Sequence, residues 1–457
     1  MSYVGNTATT QSFSSGTDYF NGNSSTTAFT LSRPVASIND VVAVIENVVQ
    51  QPSTAYTISG STITFTSAPP TGTNNIYVRY MTTTTQVVQP AQNSVGYSSL
   101  NTDLQGANYG YKNKLINGAM RIDQRNAGAS ITPTTDNSYS VDRWSGMCAV
   151  ASKYSLQQSS SAPTGYTNSL KVTSLSAYTV GAAEYFFINQ VIEGNNMVDL
   201  VYGTSSAVTT TLSFWVQSSL TGTFGAALCQ GSQAYPFSYT INSQNTWEYK
   251  TIIIPGCTTG TWSTTNTLGM RVQFGLGVGS NFSGTAGAWV NGNLISTTGA
   301  TSVVGTSGAT WQITGVQLEK GATATSFDYR PYGTELALCQ RYAYYMQLPV
   351  NTNSVIPCNV YPNPLLLLVP IFVPVSMRAT PSSTLVTQPT TGFTFNSYNG
   401  TASANQTPSI SVNVRSGYPY LTEWVLTAGS NWGTASSTGL LTSSGSGSGS
   451  CILSAEL

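Results

Sequence analysis

The chain has 457 residues, 16 of them basic, 16 acidic and none histidine, so its formal charge is zero. That balance supplies no positive field for nucleic acid or an anionic membrane, and the missing imidazole removes the commonest general base, the usual zinc ligand and the Ser-His-Asp arrangement together. Only 7% of residues are charged and good helix formers are scarce, whereas Thr, Val, Tyr and Ile abound, which predicts an all-β protein of several domains.

The opening MSYVGNTATT has no basic segment followed by an apolar one, so no secretory signal is expected. Residues 1–81 read as a small β-sandwich, because AFTLS, VVAVIENVVQ, YTISG, STITFT and NIYVRYM are short alternating apolar runs punctuated by Pro, Asn and Gly. SGS at 59–61 predicts a tight hairpin. Residues 82–112 have weak periodicity and many polar side chains, the pattern of an extended connector.

Residues 113–346 predict a central jelly-roll domain, with strands at TLSFWVQSS, TWEYKTIIIPG, LGMRVQFGLGVG, GAWVNGN and TWQITGVQLEKG, that ends in a short helix at 334–346 capped by Thr334. Residues 347–457 form a β-rich tip, with strands at LLLLVPIFVPVSM, GFTFNSY, SISVNV, EWVLT and the terminal CILSAEL. The apolar run at 365–375 is broken by Pro370 and Pro374 and is too short to span a membrane, so no membrane insertion is expected. Cys148, Cys229, Cys257, Cys339, Cys358 and Cys451 lie far apart, without a C-x-x-C pair, and are expected as reduced buried thiols.

NKLINGAMRIDQRNAG (113–128) with YSVDRWSG (139–146), and VQLEKGATATSFDYRPYGTELALCQRYAYY (316–345), resemble the opening and closing signatures of a jelly-roll module found in fibre proteins of tailed bacteriophages. DVVAVIENVVQQPSTAYTISGSTITFTSAPPTGTNNIYVRY (40–80) is similar to small sandwich domains near the N-termini of fibres in short-tailed phages and cyanophages. The resemblance implies a homotrimeric virion tail fibre, made in the host cytoplasm and built from several β-sandwich and jelly-roll domains. Its N-terminal domain would attach to a tail, adaptor or baseplate protein, and its distal part would meet a host surface glycan or outer-membrane receptor.

The charges of the two signatures read as a structural ion-pair seam rather than as a catalytic cluster, with Arg121, Asp123 and Arg125 expected to pair near FDYRPYG, which holds Asp328 and Arg330. The competing chemistry is glycoside hydrolysis, which needs two carboxylates about 5 Å or about 6.5–9.5 Å apart. Asp123, Asp142, Glu319, Asp328 and Glu335 are the acids near these flanks, but arginines lie close by in sequence and no β-helix repeat appears, so no catalysis and no cofactor are expected. A purely architectural head, neck or baseplate fibre is the other alternative. TTDNS at 134–138 could serve a calcium ion but lacks the D-x-D-x-D spacing, so no metal site is assigned.

Sugars pack their apolar C–H faces on flat rings while amides and hydroxyls read their hydroxyl groups. Tyr398, Tyr418, Tyr420 and Trp432, in turn-like contexts of the tip, are therefore the candidate glycan-binding residues, and Tyr166, Tyr178 and Tyr235 of the central domain are the alternative.

Overall fold

The structure, a computed structural model, describes residues 16–81, 111–347, 356–360, 366–379, 381–387, 393–397, 409–414, 421–427, 438–443 and 450–456. The chain divides into two compact units, Met1–Ser99 and Leu100–Leu457.

Among the described residues the first unit has seven strands: β1 (Thr17–Gly22), β2 (Ala28–Thr30), β3 (Val41–Ile45), β4 (Val48–Val49), β5 (Tyr56–Ser59), β6 (Thr62–Phe65) and β7 (Gly72–Tyr80). They form a four-stranded sheet, β1-β7-β3-β4, and a three-stranded one, β2-β6-β5. Period-two alternation sends Val41 and Ala43 of β3 and Ile76, Val78 and Tyr80 of β7 into one core with Ile63 and Phe65. Gly60, at φ +60°, closes the tight β5–β6 hairpin.

The second unit begins with β8 (Ser138–Tyr139), β9 (Ser145–Cys148), β10 (Tyr154–Ser159), β11 (Ser169–Ser174), β12 (Tyr185–Glu193), β13 (Thr210–Ser218) and β14 (Gly222–Cys229). It continues with β15 (Gln233–Ile241), β16 (Glu248–Ile254), β17 (Leu268–Val278), β18 (Ser283–Gly284), β19 (Val290–Asn291), β20 (Ser296–Thr297) and β21 (Thr310–Lys320). A five-stranded antiparallel sheet, β10-β11-β21-β13-β16, faces a seven-stranded one, β19-β15-β14-β17-β12-β9-β8. Leu212, Phe214 and Val216 of β13 and Trp311, Ile313, Val316 and Leu318 of β21 point between the sheets, against Phe224 and Leu228 of β14 and Val272 and Phe274 of β17. Burying each such side chain contributes roughly 1.5–3 kcal/mol. Trp311 keeps its indole N–H satisfied in this core by donating to the Tyr239 hydroxyl at 3.0 Å.

The far side of the seven-stranded sheet is also covered. Val191 and Glu193 are buried there beneath the segment around Tyr342 and the C-terminal residues. The C-terminal region holds a three-stranded sheet of Ala343–Gln347, Ser382–Thr387 and Ser450–Ser454 and a six-stranded antiparallel sheet of Ile356–Val360, Leu366–Phe372, Phe393–Ser397, Ser409–Val414, Leu421–Thr427 and Thr438–Ser443 among the described residues.

The helix differs from its predicted span. It runs Tyr332–Gln340, entered from Pro331, and Thr334 lies inside it rather than capping it. Residues 343–346, predicted as its last turn, belong instead to the strand Ala343–Gln347 paired with Ser450–Ser454. β-prone Tyr344 and Tyr345 gain a ladder partner more than one hundred residues away, which local helix propensity does not register. Cys148, Cys229, Cys257 and Cys339 are free, buried thiols, and Cys358 is buried as well.

Candidate functional site

Tyr398, Tyr418, Tyr420 and Trp432 lie outside the described residues. Tyr178 is engaged by its neighbours: its hydroxyl donates to Glu184 at 2.9 Å and Lys153 sits over its ring at 4.4 Å. Tyr235 is 6% exposed and packs on Trp289 within the core. Of the central-domain alternatives, Tyr166 stands at an open groove.

The flanking segments meet around Arg330. Its guanidinium lies 3.4 Å from both Asp328 and Glu335 and donates to the carbonyls of Asn113 and Leu115. Asp328 also accepts from the Asn113 amide at 3.2 Å, and Glu335 accepts from the Asn117 amide. Asn113 stitches the same junction, its side chain accepting from Leu115 and Leu318 and donating to Val316.

The other seam residues meet the expectation in part: Arg121 reaches FDYRPYG through the ring of Tyr332, whereas Asp123 and Arg125 find partners elsewhere. Arg121 places its guanidinium over the Tyr332 ring at 5.4 Å. Asp123 accepts from the amides of Asn126 at 2.8 Å and Gly128 at 2.6 Å, because its own turn presents N–H groups closer than any arginine. Arg125 pairs with Asp142 at 3.5 Å and Glu456 at 3.0 Å, away from FDYRPYG. Burial pushes the Asp142 carboxyl up despite Arg125. Glu319 has no arginine either; it is 3% exposed and accepts from Gln317 and from the amide and hydroxyl of Thr325.

The outward side of the five-stranded sheet carries a different arrangement. Directly paired residues of antiparallel strands share a face, so Gln157, Lys171, Gln312 and Gln217 form one row across β10, β11, β21 and β13. Gln312 donates to Gln217 at 2.9 Å and Gln217 to the Asn245 carbonyl, which fixes how the amides point. Each carboxamide has two N–H donors, and these bonds use one from each.

Two residues along β13, Trp215 faces Tyr249 of β16, with ring centroids 5.3 Å apart. Phe214 and Val216 on either side of Trp215 point into the core, so alternation alone turns Trp215 outward. Opposite this ring pair, Tyr166 packs on Phe327 at 5.4 Å and on Tyr329 at 5.6 Å, and the Tyr329 hydroxyl donates to the Gly165 carbonyl. Burial pushes the Tyr166 hydroxyl well up, with Tyr329 adding to the shift.

Between the two aromatic groups lies a groove of about 380 Å³, lined also by Ser213, Gly315, Thr325 and Ser326. A bulge in β21 shapes its floor: pairing passes from Ser213↔Gln317 to Trp215↔Thr314, leaving Gly315 at φ +61° beneath the Tyr166 ring. A Cβ at that position would lie 2.7 Å from the ring, so only glycine lets Tyr166 settle on the strand.

The sequence reading missed Trp215, Tyr249, Phe327 and Tyr329. Alternation in TLSFWVQSS already opposed Trp215 to Phe214, but its pairing with Tyr249 requires the register of β13 and β16.

No known family model matches the chain, and no curated protein sequence matches it. Solved structures similar to part of it include a candidate sugar-binding protein from Bacteroides thetaiotaomicron (12% identity over 46% of this chain and 100% of that one, TM-score 0.29). Another is the enzymatically active domain of tailspike protein 4 of bacteriophage CBA120 (12% identity, 46% of this chain and 22% of that one, TM-score 0.25). A third is the family 11 carbohydrate-binding module of a cellulosomal cellulase of Clostridium thermocellum (15% identity, 43% and 98%, TM-score 0.22).

Proposed function

We propose that the protein is a virion fibre that binds a glycan without cleaving it, in the groove on the outward face of the five-stranded sheet. The observation that carries the glycan reading is the Trp215–Tyr249 ring pair facing the Tyr166, Phe327 and Tyr329 cluster across that groove, beside oriented glutamine amides. Flat rings supply the surface on which sugar C–H faces pack, and the amides of Gln217 and Gln312 supply bonds to sugar hydroxyls. Tyr249 is 44% exposed and Tyr329 54%, so both rings are available to a ligand.

Catalysis is left out of the proposal because the groove lining contains no carboxylate, while the nearby Glu319 is buried and spends its oxygens on Gln317 and Thr325. The fibre role rests on the resemblance of residues 113–146 and 316–345 to fibre modules. In that setting three copies of a weak site per fibre would multiply a modest affinity. Affinity electrophoresis of the full chain through gels containing bacterial surface polysaccharides tests the reading. Retardation by at least one polymer, without release of reducing ends, supports it; release of oligosaccharides would overturn the non-catalytic assignment.

A further inference from the structure

The outward positions of the five strands are almost uncharged: Ser155, Gln157, Ser159, Ser169, Thr173, Thr310, Gln312, Thr314, Ser213, Gln217, Thr251 and the aromatic pair are all neutral. Two residues there carry charge. Glu319 is 3% exposed at the far end and is consumed by its own neighbours. Lys171 is half-buried within the amide row, with Gln157 directly opposite on one side and Gln312 on the other.

Lys171 has no ion-pair partner among the described residues. Glu248 and Lys250 of the edge strand belong to the inward parity and pair with each other at 2.6 Å. In a protein with 16 lysines and arginines in 457 residues, an unpaired ammonium set between glutamines on a neutral face needs an explanation other than solvation of a charged surface.

Adjacent strands are about 4.8 Å apart and residues rise about 3.3 Å each. Lys171 is two strands over from β13 and level with Gln217, two residues from Trp215, so its Cα is roughly 12 Å from that of Trp215. A saccharide longer than a single ring, stacked on Trp215 and running along the amide row, reaches the ammonium.

We propose that the groove's ligand is an acidic glycan, with Lys171 receiving a sugar carboxylate. The inference rests on the glycan reading of the groove and specifies its ligand class. Gln157 and Gln312 would hold the hydroxyls flanking the acid; Lys112 also reaches the groove edge but is engaged with Thr325, which leaves Lys171, among the described residues, as the unengaged cation of the face.

The test measures binding of the full chain by isothermal titration to polygalacturonate, alginate and hyaluronan, each beside its carboxyl-reduced counterpart, which keeps the backbone and removes the charge. The expected result is at least one acidic polymer bound about tenfold or more tightly than its reduced form, with the preference shrinking as salt is raised. Lys171→Gln should bring the acidic polymer down to the affinity of the reduced form, and Lys171→Arg should retain the preference. Equal binding of acidic and reduced forms, or a preference that survives Lys171→Gln, overturns the inference. Binding of neutral polymers alone, still abolished by Trp215→Ala, overturns it while leaving the groove reading in place. If none of the six polymers and no neutral surface polysaccharide binds, both fall.

Discussion

Trp215 and Tyr249 stand opposite one another on neighbouring antiparallel strands, 5.3 Å apart, on the face that Phe214 turns away from. Between them they leave a ring surface that no core packing requires. The rest of the groove depends on what holds Tyr166 against the sheet across from this pair.

Gly315 performs that task, so Gly315→Ala should both strain the backbone at φ +61° and push Tyr166 off the strand. A loss of about 1–3 kcal/mol is expected in thermal unfolding. Part of it is the clash with the ring, so adding Tyr166→Ala should cost less in the Gly315→Ala background than in the wild type. Strictly additive losses would show that the ring and the bulge are not coupled.

Arg330 gathers Asp328, Glu335 and two carbonyls from the opening segment. Arg330→Met removes the cation and leaves two largely buried carboxylates uncompensated. Urea unfolding should record a loss of about 3–5 kcal/mol. A change below about 0.5 kcal/mol, the range of ordinary surface substitutions, would remove this residue from the structural seam.

Glu193 joins the central sandwich to the C-terminal sheets through Arg341 at 2.9 Å and the Tyr342 hydroxyl. Burial pushes its carboxyl up, but the hydrogen bonds from Arg341 and Tyr342 more than offset this and hold it below the ordinary value. A depressed carboxyl adds stability above its unfolded-state value and loses it as pH falls through the folded value. The melting-temperature gap between wild type and Glu193→Gln should therefore be full near about pH 6 and shrink as pH falls below the ordinary glutamate value of about 4.3. Asp142, pushed up by burial, titrates in the opposite sense, so the gap and not the wild-type curve alone is the readout. A gap that persists in acid contradicts the assignment.

The trimer proposal predicts a light-scattering mass three times the 48.2 kDa of one chain. A monomer mass at working concentration contradicts it.

Much of the sandwich was legible because two-residue alternation survives in strands such as β13 and β21, whose apolar positions fall on the core side with Trp215 as the exception. The meeting of the flanking segments was implied by the resemblance to a module's opening and closing signatures, and Arg330, Asp328 and Glu335 do come together with Asn113 and Asn117. Asp123 was misread because residue type indicates a charge but not the amides of its own turn. The groove escaped for a different reason. Its rings come from β13, β16, the loop holding Tyr166 and the segment after β21, and register places them together without a local signature. The short helix was drawn too long because a strand partner at Ser450–Ser454 is invisible to propensity at 343–347.

The central claim is that a glycan stacks on Trp215. Titrating a polysaccharide that retards the protein in affinity gels into wild type and Trp215→Ala, with melting temperatures measured alongside, tests it most directly. The account predicts at least about a tenfold rise in Kd, roughly 1.4 kcal/mol, with the fold intact because Trp215 lies outside the core. An unchanged Kd in a folded Trp215→Ala protein would contradict it.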